Sequence, residues 1–201
     1  MDSPPSYESI IQRLTERSEL KWIWLTLALF SFFPVFCVLA MGFLVGNCRT
    51  YVYSGVAEAA RPQNFKHWLL DSLVVGGVFV LLVWAFPSLL SVIGRMIDAL
   101  SMLDLSLFEL VLNNVGIGFG LWLFSGFFLL YLDHGDWRAL RHVQQGFVMS
   151  LKLSKPLLLP IIVCLGLAFV SGPLVLGGVF AGAVPLCFFL SDLARRASRS
   201  M

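Results

Sequence analysis

The chain has 201 residues, 58% of them hydrophobic and 13% charged, with 14 Lys and Arg against 12 Asp and Glu. A soluble domain carries about 25% charged residues and 45–50% apolar ones. The composition therefore excludes a disordered chain, a nucleic-acid binder and an ordinary soluble enzyme. Every charge lies outside four windows, 22–48, 72–94, 110–132 and 156–191, which together cover more than half of the chain. Apolar runs of about 18 residues or more read as membrane-crossing helices. The expected fold class is all-α: an integral membrane helical bundle of about five transmembrane or re-entrant helices, with amphipathic interfacial helices beside them.

The first 21 residues mix Asp2, Glu8, Glu16 and Glu19 with Arg13, Arg17 and Lys21. A cleavable signal peptide needs a basic start and a short apolar core, so this segment reads as the approach to an uncleaved membrane helix. Residues 1–19 are expected to form a flexible leader, 20–195 a single polytopic membrane domain, and 196–201 a basic tail. In the leader, Pro4-Pro5-Ser6-Tyr7 matches the P-P-x-Y ligand of WW domains. Paired prolines preset the polyproline II form that docks in an aromatic groove, and Tyr7 adds a pocket contact.

Residues 22–45 form the first apolar segment, with Pro34 in its middle. Proline removes a backbone hydrogen bond there, so the segment is either one kinked, tilted crossing or a re-entrant hairpin. Over 47–61, Cys48, Tyr51, Val52, Gly55, Val56 and Ala59 recur at helical spacing, opposite Arg49, Glu58 and Arg61. That pattern predicts an amphipathic helix along the membrane surface or across the bundle mouth.

The second span is expected over 68–94, with Asp71 near its start and Lys66 or His67 as its partner one turn earlier. Ionisable groups inside a membrane are functional candidates, and Asp71 is the acid placed deepest. Residues 95–110 read as a short interfacial helix with an acidic face of Asp98, Asp104 and Glu109. The third span, 115–132, is crowded with Gly116, Gly118, Gly120 and Gly126, residues that let helices approach closely in lipid.

Asp136 is a natural helix start. The helix expected over 137–153 is amphipathic and basic, with Arg138, Arg141, Lys152 and, just beyond it, Lys155 facing anionic lipid headgroups. Window 156–191 would measure about 54 Å as one helix, far beyond the ~30 Å hydrocarbon core. It must fold back, and Ser171-Gly172-Pro173 and Gly177-Gly178 supply the breakers.

Positive loops stay in the cytoplasm. Arg49, Arg61 and Lys66, then Arg138, Arg141, Lys152 and Lys155, then Arg195, Arg196 and Arg199 place 46–68, 133–155 and the C-terminus there. Arg95 alone lies in 95–114, the stretch expected outside.

Met41-Gly42-Phe43, the polar stretch 47–67, the run Ser150-Leu151-Lys152-Leu153-Ser154-Lys155-Pro156, the turn Gly172-Pro173-Leu174-Val175-Leu176-Gly177-Gly178 and the late Pro185 form a pattern. Over residues 20–195 it resembles the YciC-like polytopic inner-membrane proteins of bacteria, which are of unknown function. The resemblance implies a helical membrane fold and no activity.

No G-x-S-x-G, H-E-x-x-H, P-loop or paired-carboxylate pattern occurs, and His134 and His142 match no standard metal spacing. No catalytic residue, cofactor or metal is therefore expected. Cys37, Cys48, Cys164 and Cys187 read as small buried hydrophobes. The expected role is a non-catalytic membrane scaffold or interaction protein. The alternatives are a small transporter or permease-like subunit, and an adaptor that recruits a WW-domain ubiquitin ligase. Expected partners are the anionic bilayer, a WW-domain protein and a second copy of the chain, with no nucleic acid.

Overall fold

A computed structural model describes residues 7–16, 18–31, 33–54, 65–101, 106–134, 142–170 and 175–199. The described residues are helical almost throughout, with no strand among them. Four helices are long and apolar enough to cross a membrane: Pro34–Val52, Phe65–Ile97, Val111–Asp133 and Leu176–Ala197. A fifth crossing is reached if Gln144–Lys152 and Ser154–Val170, bent by 90°, count as one span. This is the architecture of a multi-pass membrane protein.

The structure decides between the alternatives at Pro34 and shifts the boundaries expected around 47–61 and 95–110. The first apolar segment is two helices, α2 (Ser18–Phe30) and α3 (Pro34–Ser54). Proline disfavours helical geometry in the residue before it and suits the first position of a new helix, so Pro34 starts α3 instead of kinking one long helix. The two arms fold back on each other. Trp24 packs its ring 5.9 Å from Phe43, and Phe30 lies 6.3 Å from Phe36. With Trp68 they enclose an apolar groove of about 370 Å³.

The helix expected over 47–61 starts, within the described residues, as a continuation of α3. Residues 47–54 are the last two turns of α3, with Cys48 and Tyr51 buried, and 55–61 fall outside the described residues. Its apolar face exists, but it packs on the bundle. Residues 95–101 are likewise not a separate helix. They close α6 (Phe86–Ser101), and Ser106 opens α7 (Ser106–His134).

The second span is built from α4 (Phe65–Asp71), α5 (Gly77–Val80) and α6, joined by two π-helical turns at Ser72–Gly76 and Leu81–Ala85. It runs antiparallel to α7, because Gly120 meets the Leu82 carbonyl while Gly116 meets Pro87. It also lies against α3, where Gly42 meets Ser72 and Gly76 meets Val38. The glycines thus mark backbone-to-backbone crossings, as close packing in lipid requires.

Helix α8 (Val143–Lys152) packs along α7 at Gly126 and Gly146. The Gly126 amide donates to Ser150 Oγ at 3.1 Å, and the Ser150 hydroxyl donates to the Trp122 carbonyl at 2.8 Å. The chain then turns into α9 (Ser154–Val170), and α10 (Val175–Arg199) returns beside it with Gly182 against Cys164. The expected break in 156–191 therefore falls over 171–174, outside the described residues, while Gly177 and Gly178 lie inside α10. Residues 196–199, expected as the start of a basic tail, are the last residues of α10.

Helix α10 is the hub. It packs on α9, α3, α2, α7 and on α1 (Tyr7–Glu16), and its crossing window is 83% buried against 28% for Phe65–Ile97. The shared core is aromatic and aliphatic, with Phe79, Phe124, Phe128, Phe180, Phe188 and Leu190 almost fully buried. Helix α1 belongs to it. Tyr7, Ile10 and Leu14 are buried, so residues 7–16 of the expected leader are a docked helix.

Candidate functional site: two Arg–Asp–Tyr clamps

Asp71 ends α4 and is 4% exposed. A lone buried carboxylate is costly, so it must find donors. Arg49 Nη1, on α3, donates to Asp71 Oδ2 at 2.9 Å, and the Tyr131 hydroxyl, on α7, donates to Oδ1 at 2.6 Å. The Arg49 guanidinium also sits 5.2 Å from the centre of the Tyr131 ring, a cation–π distance. Both carboxylate oxygens are held, and three helices are tied at one point. The cation that hydrogen-bonds Asp71 is Arg49, and His67, one of the partners expected from sequence, lies near enough to act on the carboxylate through space. Arg49 reaches Asp71 because α3 packs along α4 and the π turn after it, with Gly42 against Ser72, the residue next to Asp71.

The same arrangement recurs at Asp192, which is 6% exposed on α10. The Tyr51 hydroxyl donates to Asp192 Oδ1 at 3.2 Å, and Arg196 Nε donates to Oδ2 at 3.0 Å. Tyr51 also sets its ring edge-on to Phe188 at 5.5 Å. Arg13 of α1 lies within hydrogen-bonding reach of the Tyr51 hydroxyl. Arg49 and Tyr51 stand two residues apart on α3, so its last turns supply one member to each clamp. One clamp ties α3 to α4 and α7, the other to α10.

In each site one carboxylate oxygen accepts from a guanidinium and the other from a phenol, so the acid ties neighbouring elements together. Among the described residues, no group of three or more His, Cys, Asp or Glu could hold a metal ion. The four cysteines are buried and free.

Of the residues singled out from sequence, Asp71 is in the first clamp. Lys152 and Lys155 are exposed at the bend between α8 and α9. Arg138 and Arg141 fall outside the described residues, as do Pro4 and Pro5. Tyr7 is buried with its ring edge-on to Phe189 at 5.9 Å, and burial pushes its hydroxyl well above the usual tyrosine range. Arg49 and Tyr51 enter the sequence pattern only as opposite faces of an amphipathic helix, and Tyr131 and Asp192 do not enter it. The available signal was Asp71 itself, which calls for a cation on a neighbouring helix. No protein-family profile, curated protein or solved structure matches the chain.

Proposed function

We propose that the protein is a non-catalytic membrane scaffold that binds other membrane proteins through its outer helices. The observation that carries this reading is how the polar and apolar groups are divided. The buried acids Asp71 and Asp192 are bonded to partners inside the bundle, while the rest of the core is mostly apolar and its buried serines and Asn47 donate to backbone carbonyls. A transport pathway needs polar groups that a passing solute can engage. The exposed side of the second span offers Leu81, Trp84, Leu89, Val92 and Met96 along one stripe, a surface on which a partner helix can seat by the same packing.

In this reading the stretches 46–68 and 133–155 and the C-terminus face the cytoplasm, as their Lys and Arg content favours. The N-terminus joins them. Thirteen residues of α2 measure about 20 Å, short of the ~30 Å core. Their return along α3 supports a re-entrant arm. Arg138 and Arg141 then lie near anionic headgroups, each contributing about 1 kcal/mol of attraction, whereas Lys152 follows the Ser150 that bonds Trp122 in the middle of the α7 crossing.

The test is site-specific photocrosslinking in native membranes, with the reactive group placed at Leu89 or Met96. Discrete protein adducts are expected, either a partner or a second copy of the chain. Adducts to lipid alone at both positions contradict the reading.

A further inference from the structure

Tyr7 has one ring and two possible seats. In the sequence it closes Pro4-Pro5-Ser6-Tyr7, a segment suited to an aromatic groove that reads polyproline II chains. In the structure it opens α1 and sits edge-on to Phe189, 5.9 Å between ring centres. Ile10 and Leu14, three and seven residues on, bury the same face, and α1 lies along α10. The two seats exclude each other, because a ring 5% exposed has no surface left for a second protein.

The docked seat fits the ring and not the hydroxyl. Tyr7 Oη is buried with no hydrogen-bond partner, and a buried hydroxyl left unbonded weakens the state that buries it. Helix α1 is also only 10 residues long. Isolated helices shorter than about 12–15 residues are marginal in water. Once off α10, α1 therefore frays toward the extended form that a polyproline-reading groove requires.

We propose that α1 is a releasable latch, and that residues 4–7 are a ligand for a partner domain with a polyproline-reading aromatic groove, available only when Tyr7 leaves Phe189. This goes beyond the scaffold reading, which stands whether or not the latch opens. The apparent affinity of the full chain is then reduced by the fraction of molecules with α1 released.

The experiment compares binding of a panel of WW domains to four species: a free peptide of residues 1–14, the full chain in lipid nanodiscs, and its Ile10→Asp and Tyr7→Ala variants. Ile10→Asp strips the apolar face by which α1 packs on the core and leaves residues 4–7 unchanged. The expected order is clear. The peptide binds, the full chain binds at least tenfold more weakly, Ile10→Asp recovers most of the difference, and Tyr7→Ala binds nowhere. Trypsin cleavage after Arg13 provides a second readout and is expected to be faster in Ile10→Asp than in the wild-type chain. Equal affinity of peptide and full chain, with equal cleavage rates, overturns the latch. Failure of the peptide to bind any domain of the panel, or equal binding by Tyr7→Ala, overturns the partner.

Discussion

Replacing Asp71 with alanine is expected to remove about 3–5 kcal/mol of stability, the typical loss when one member of a buried ion pair is deleted. The loss has two sources. Arg49 is left with its charge partly buried, its side chain 25% exposed, and the Tyr131 hydroxyl loses its 2.6 Å acceptor. Arg49→Ala should cost about as much, because it strands the carboxylate. The double variant should cost clearly less than the sum, since each deletion removes the other's unpaired partner. Tyr131→Phe deletes one charge-assisted hydrogen bond and should cost about 1.5–3 kcal/mol. Unfolding of the purified chain in nanodiscs, followed by tryptophan fluorescence, reads all four. Additive losses would mean that Arg49 and Asp71 do not act as a pair.

The second large effect is expected at Gly126. A methyl group there would run into the Gly146 carbonyl and the Ser150 hydroxyl. The obstructing carbonyl is backbone, so the helices must separate. Overpacking of this kind costs about 1–3 kcal/mol, occasionally more. Moving α8 away also breaks the bonds of Ser150 to the Gly126 amide and the Trp122 carbonyl. Gly126→Ala should therefore destabilise by about 2 kcal/mol or more. Gly46→Ala is the internal control. An added methyl there meets nothing within 4 Å, and alanine in a helix interior is favoured over glycine by roughly 0.5–1 kcal/mol. Equal stability of the two variants would show that the α7–α8 crossing is not close.

Much of the fold is legible in the charge-free windows, because lipid forbids unpaired charge along a crossing and the windows mark where it is missing. The hairpin in 156–191 follows from length alone. The break at Pro34 was less clear, since proline is compatible with both a kink and a new helix, and tertiary contacts such as Trp24 on Phe43 decide between them. The face at Cys48 and Tyr51 was visible, but its destination was not. An apolar stripe at helical spacing looks the same whether it meets lipid headgroups or α10. The clamps were the hardest to see. Three of their four bonds join residues 22, 60 and 141 positions apart, which no local pattern encodes; the fourth, Arg196 on Asp192, is an i,i+4 pair. The π turns at Ser72–Gly76 and Leu81–Ala85 have no sequence signature either.

A bundle closed around aromatic side chains and internally paired acids makes a direct statement about access from water. Cys37, Cys48, Cys164 and Cys187 are all 0% exposed and lie on α3, α9 and α10, so they report on the interior from three helices. The most direct measurement is reaction of these native thiols with a charged, membrane-impermeant thiosulfonate, applied to each side of reconstituted vesicles and again after unfolding in detergent. The closed scaffold predicts no reaction from either side and full reaction of all four thiols after unfolding. Labelling of Cys48 or Cys187 in the folded protein, from either side, would reveal an aqueous path through the core. It would contradict the scaffold and favour a transporter.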